Sequence, residues 1–104
     1  MLYNCKESQL SKATDDVFKE RARQQGSLGW TPNHDDEHAA GELADAAACY
    51  ALSASGTPLE IYRDFWPFEG GFKPKGARND LVRAAALLIA EIERLDRAEM
   101  QAAA

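Results

Sequence analysis

Leu81, Ala85, Leu88, Ile92 and Leu95 recur at alternating four- and three-residue intervals. Only an α-helix carries residues so spaced on one face, because 3.6 residues complete each turn. The pattern predicts an amphipathic helix over about residues 79–97, its apolar stripe directed at a core. Glu91, Glu93, Arg94, Asp96 and Arg97 crowd its later turns, and residues 102–104 are expected to fray.

Two further helices are expected. The first spans about Ser11 to Gln25, with Leu10, Val17 and Phe18 as inward candidates and Gly26 as the residue that ends it. Its other face carries Glu20 and Arg23 at a spacing that lets them pair. The second spans about Glu37 to Ser55. Asp35 or Asp36 is placed to accept the free N–H groups at its start. Leu43 to Leu52 is rich in alanine, so neighbouring backbones can approach closely, and this is expected to be the central helix of the fold.

Between the second and third helices lies a long connection, Ser53 to Ala77. Pro58 to Asp64 suits a short helix, with proline in its first turn. Phe65, Trp66, Phe68 and Phe72 then fall in one glycine-bearing stretch. That aromatic content argues against disorder and for an ordered loop folded over the core. No segment has a useful strand period. The expected fold is all-α: a compact three-helix domain spanning 1–104, with the aromatic loop between helices two and three and with 1–7 and 100–104 frayed.

Composition narrows the function classes. The 45% apolar and 28% charged content is that of a soluble globular protein. No apolar run approaches the roughly 20 residues of a membrane helix. Met1 to Glu7 lacks the basic-then-apolar layout of a signal peptide, so the cytoplasm is the expected compartment. Cys5 and Cys49 have no CxxC partner and are expected as free thiols, Cys49 as a small core residue. A net charge of −5 argues against bulk nucleic-acid binding. The charge is unevenly spread, however. Asp35, Asp36, Glu37, Glu42 and Asp45 form an acidic segment, whereas Lys73, Lys75, Arg78 and Arg83 form a basic one.

Three constellations carry candidate chemistry. His34 and His38 are four apart beside Asp35, Asp36 and Glu37, but the pair straddles the expected helix start and no third metal ligand is fixed by spacing. Glu42-x-x-Asp45 and Glu93-x-x-Asp96 could hold magnesium against a nucleotide if their helices packed together. Trp30, Trp66, Phe68 and Phe72 flank glycine turns close to Lys73, Lys75 and Arg78. Such rings stack on planar groups, while cations and a helix start favour an anion.

The two acidic pairs resemble those of the all-α nucleotide pyrophosphohydrolases of the MazG and dimeric dUTPase type. Here the gap between the pairs is longer and the first pair lacks the usual second glutamate. A broader resemblance rests on Gly29-Trp30-Thr31-Pro32-x-His34-Asp35-Asp36-x-His38, Gly41-Glu42-Leu43-Ala44, Ala46 to Ala51, Trp66-Pro67-Phe68 and Asp80 to Arg97. The chain resembles a family of small accessory proteins of tailed phages and prophages. That resemblance implies modulation of host processes, including immune defences. Residues 21–36, and residues 42–50 with Trp66, also resemble pieces of ryanodine-receptor-type repeat domains in permuted order. Those domains are linked with nucleotide-derived signals.

Together these readings point to a non-enzymatic phage accessory protein, needing no cofactor, that sequesters a small nucleotide-derived host signal. Trp30 and Trp66 would stack on the ligand beside Phe68 and His38, while Arg78, Lys73 and Lys75 answer its phosphates. His34, Asp35 or Asp36 would read ribose or base edges. Two alternatives stand beside this. One is a protein-binding inhibitor of a host defence complex acting through Asp35 to Asp45. The other is a magnesium-dependent pyrophosphohydrolase using Glu42, Asp45, Glu93 and Asp96. Self-association is expected through the small-residue face of the second helix.

Overall fold

The structure, a computed structural model, describes residues 10–103. It is all-α, and among the described residues there is no strand. Five helices occur in order: α1 (Lys12–Gly26), α2 (Pro32–Asp36), α3 (Glu42–Ala54), α4 (Leu59–Tyr62) and α5 (Ala77–Ala103), with a 3-10 turn at Arg63–Phe65. Cys5 and the expected fraying of 1–7 lie outside the described residues. No helix among them is long and apolar enough to cross a membrane.

Ser11 caps α1, its Oγ accepting the Thr14 N–H at 3.0 Å. The expected end at Gly26 differs in detail. Gly26 stays helical, and the left-handed residue is Gly29, with φ +71°. That turn lets the Trp30 N–H return to the Gln24 carbonyl at 2.9 Å, so the tryptophan is tied back to α1.

The region expected to open the second helix is instead a separate short helix. Thr31 caps α2 and Pro32 occupies its first turn. Neither Asp35 nor Asp36 caps α3, because both belong to α2 and residues 37–41 separate the two helices. α3 starts at Gly41, with φ +90° and no side-chain cap. Glu42 partly replaces one by accepting the Ala40 N–H at 2.7 Å. Its own backbone N–H and that of Ala40 hold its carboxyl below the usual range.

α5, not the alanine-rich α3, is the central element. α3 packs most extensively on it, followed by α1 and α2. Leu43, Ala46 and Ala47 of α3 meet Ala84, Leu87 and Ala90 of α5, small residues on both sides allowing close approach. α5 also runs to Ala103, beyond the end expected near Arg97. Its buried face is not the stripe picked out by periodicity. Asp80, Ala84, Leu87, Ala90 and Arg94 turn inward, while Leu81, Leu88, Ile92 and Leu95 remain exposed. The alanine face wins because only small side chains admit α3.

The long connection is ordered, as its aromatic content implied. Tyr62, Phe72 and Cys49 form a second small core, with Tyr50 and Trp66 packed against it. Cys49 is fully buried, and burial pushes its thiol upward, which suits a packing role. Asp80 fastens the end of the connection, its Oδ1 accepting the Lys75 N–H at 2.9 Å and its Oδ2 the Ser53 hydroxyl at 3.2 Å.

Candidate ligand cleft

Where α1, α3 and α5 meet the aromatic loop, they leave a cleft of about 230 Å³. Trp30, Tyr50, Trp66 and Phe68 supply its aromatic walls. Trp66 is held edge-on by Tyr50 at 5.6 Å and by Phe68 at 5.5 Å between ring centroids. Phe68 in turn meets Trp30 at 6.2 Å. Rings locked by other rings keep their orientation without a ligand, which lowers the ordering cost of binding one.

The polar part of the cleft comes from α1 and α5. Glu20 receives two hydrogen bonds from Arg23, both at 2.7 Å, and one from the Gln24 amide at 3.2 Å. Burial raises the Glu20 carboxyl, but Arg23, the nearby Arg83 charge and the Gln24 bond outweigh it, and the net shift is downward. A carboxylate only accepts, so the Gln24 NH₂ must face Glu20 and its oxygen must face away. Gln24 is 2% exposed, and its Oε1 has no hydrogen-bond partner. The Trp66 Nε1 is likewise buried without one. Such groups are ordinarily satisfied. Both residues line the cleft, but the two orphan atoms are themselves closed to solvent, so a ligand reaches them only when a wall side chain shifts.

A second recess of about 240 Å³ adjoins this cleft and shares Glu20 and Arg23 with it. Lys19, Arg78 and Asn79 line its far side, Arg78 donating to Asp16 at 2.8 Å. That contact, then the one from Lys12, holds the Asp16 carboxyl below the usual range. The recess therefore sits beside the first turn of the 27-residue α5.

The structure brings Trp30, Trp66 and Phe68 together in the cleft, as the ligand-stacking expectation required. The residues of 34–38 stand behind it instead of in it. The His34 ring lies parallel to Trp30, 5.6 Å away and 2° from coplanar. His38 touches both His34 at 4.8 Å and Phe68 at 5.3 Å. Trp30, His34, His38 and Phe68 therefore form a closed ring of aromatic contacts supporting the cleft wall. Asp35 is fully buried and bound to Arg21 at 2.9 Å. Asp36 accepts from Arg97, also at 2.9 Å. Both carboxylates are thus committed to the fold and do not line the cleft. Of the three expected phosphate ligands, only Arg78 approaches, in the adjoining recess. Lys73 and Lys75 are exposed and line neither space.

Glu20, Arg23, Gln24, Tyr50 and Arg83 also line the cleft, and none of them is among the expected ligand-binding residues. The spacing of Glu20, Arg23 and Gln24 puts all three on one helix face, which was the available signal. Among the described residues, no three His, Cys, Asp or Glu side chains gather closely enough to hold a metal ion. His34 and His38 each turn Nδ1 to a carboxylate, Asp35 at 3.2 Å and Glu42 at 3.4 Å. Glu93 pairs with Arg21, and no four-carboxylate site of Glu42, Asp45, Glu93 and Asp96 is assembled.

No family model, curated protein or solved structure matches this chain.

Proposed function

We propose that the protein binds a small nucleotide-derived molecule, with its base in the aromatic cleft, and acts by sequestering it. The observation that carries this reading is the pairing of two orphan polar groups with four aromatic walls. Gln24 Oε1 calls for a donor such as an exocyclic amine. Trp66 Nε1 calls for an acceptor such as a ring nitrogen or carbonyl. Nucleobases with both an amino group and an acceptor on one edge answer the two demands while stacking on the rings.

Size supports the same division. A space of about 230 Å³ is smaller than the roughly 300–1,000 Å³ that accommodates a drug-sized ligand. It suits a base, leaving sugar and phosphate to lie over Glu20 and Arg23 toward Arg78. Arg83 offers forked donors to phosphate oxygens, while Arg23 and Arg78 would have to share theirs with Glu20 and Asp16. Sequestration needs affinity and no bond-making group, and the resemblance to phage accessory proteins supplies a setting in which withdrawal of a host signal is useful. The protein-docking reading draws less support, because Asp35 and Asp36 are already paired within the fold.

Calorimetry with a panel of cyclic and ADP-ribose-type nucleotides tests the proposal. Binding by the wild type, weakened at least tenfold in Trp66→Ala and Trp30→Ala, is the expected result. No binding across the panel, or unchanged binding in folded forms of both variants, defeats it.

A further inference from the structure

Among the described residues, nothing covers the four–three apolar stripe of α5. Leu81, Leu88, Ile92 and Leu95 are 47–58% exposed and fall on one face of α5, with Ala85 among them. Their four–three alternation is the a/d repeat of a coiled coil, not merely the 3.6-residue period of a core helix. Arg78 begins that repeat and Glu99 extends it. Val82, Ile89 and Asp96 flank it on one side, where Val82 borders α1.

We infer that this face is a homodimer seam, in which α5 of two copies pack antiparallel. The face is complementary to itself in that arrangement, as a two-fold interface must be. Leu88 then meets Ile92 of the second copy, and small Ala85 meets large Leu95. The ends agree by charge as well. In this register Leu81 faces the stem of Glu99, Arg78 lies one turn beyond it and can reach the Glu99 carboxylate diagonally across the seam, and the helix dipoles oppose. A parallel pairing would instead set Glu99 against Glu99 and Arg78 against Arg78.

Shape and area support a second copy as the occupant. Apolar recesses lie along the seam, one at Val17, Leu81 and Val82 and another at Ile89 and Ile92. These are the holes that knobs from a partner helix require. The four large side chains leave about 400 Å² exposed, a sizeable patch for a monomer. Two such patches meeting account for about 800 Å² over both copies, and Val82, Ile89 and the exposed end of α5 must supply the rest of the roughly 1,200 Å² of a stable specific interface. α5 also continues past Arg97 with residues 98–103 all exposed, extending the seam beyond the body of one copy. The aromatic cleft lies on the other side of α5, at Arg83 and Leu87, so dimerisation leaves it open, whereas Arg78 borders both the seam and the adjoining recess.

Analytical ultracentrifugation of the full chain tests this without any ligand. The expected mass is twice the 11.4 kDa of the chain. Leu88→Glu is expected to give a monomer with at least tenfold weaker association and unchanged helical circular dichroism, since the side chain is already exposed. Arg78→Glu and Glu99→Arg should each weaken the dimer, and their combination should restore it. A monomeric wild type overturns the inference, as does a dimer indifferent to Leu88→Glu. Failure of the charge exchange to restore association overturns the antiparallel register.

Discussion

The Nη2 of Arg21 donates to the Oδ2 of Asp35 at 2.9 Å, with the aspartate fully buried and the arginine side chain only 9% exposed. Arg21 also reaches Glu93 on α5 at 3.4 Å. One guanidinium thus ties α2 to α1 and to the central helix. Since Trp30 precedes α2 directly and stacks on His34, the same contact fixes one wall of the cleft.

Removing one partner of a buried ion pair strands the other charge, which is worse than removing both. Asp35→Ala is therefore expected to destabilise the fold by about 3–5 kcal/mol. The double variant Arg21→Met/Asp35→Leu should recover most of that loss. Urea denaturation of the three proteins measures the effect, and equal losses in the single and double variants would contradict it.

Trp66→Phe keeps an aromatic ring at the cleft but removes the N–H together with part of the ring volume. Without ligand the buried Nε1 has no partner, so losing it costs nothing in hydrogen bonding, but the smaller ring leaves a gap among Tyr50, Phe68 and Phe72 and stability should fall by about 1 kcal/mol. With a nucleotide that bonds to it, the same change should weaken binding by about 1 kcal/mol, or roughly fivefold. Thermal denaturation beside calorimetry reads both halves. A variant that loses stability but not affinity would assign Trp66 to the core alone.

What the sequence made legible was chiefly local. The helices expected at about 11–25 and 79–97, the short helix near Pro58 and the ordered aromatic loop all come from periodicity, caps and composition, although the last helix runs on to Ala103. Facing was not legible, because α5 carries two apolar faces. Leu81 to Leu95 looks stronger by size, yet Ala84, Leu87 and Ala90 match the alanines of α3. The cleft was half visible. Its aromatic residues stood out, whereas Gln24 and Glu20 became notable only once tertiary contacts left one oxygen unpartnered. Asp35 and Asp36 read as cap or ligand because nothing local indicates that Arg21 and Arg97 will reach them.

Asp80 anchors the aromatic loop to the start of α5 through Lys75 and Ser53 while itself 1% exposed. Asp80→Ala should cost about 1.5–3 kcal/mol, the range for hydrogen bonds to a charged group. The loop that carries Phe68 and Phe72 should loosen with it. Thermal denaturation and tryptophan emission, which reports the environment of Trp66, provide the check. A red-shifted emission at temperatures where the helices persist is expected.

The Glu20 carboxyl is held below its ordinary value of 4.5, burial being outweighed by Arg23, Arg83 and Gln24. A depressed carboxylate contributes stability that is fully present above the ordinary value and lost as pH falls through the lower folded one. The stability gap between wild type and Glu20→Gln should therefore be constant near neutrality and narrow as pH falls below about 4.5. Comparing the two proteins at each pH cancels the parallel contributions of Asp16 and Glu42, whose carboxyls are also lowered. Denaturant midpoints across pH 3–7 measure the gap. If it stays constant down to the acid limit, the Arg23–Glu20 pair does not depend on the carboxylate charge, and the polar rim of the cleft must be held by packing.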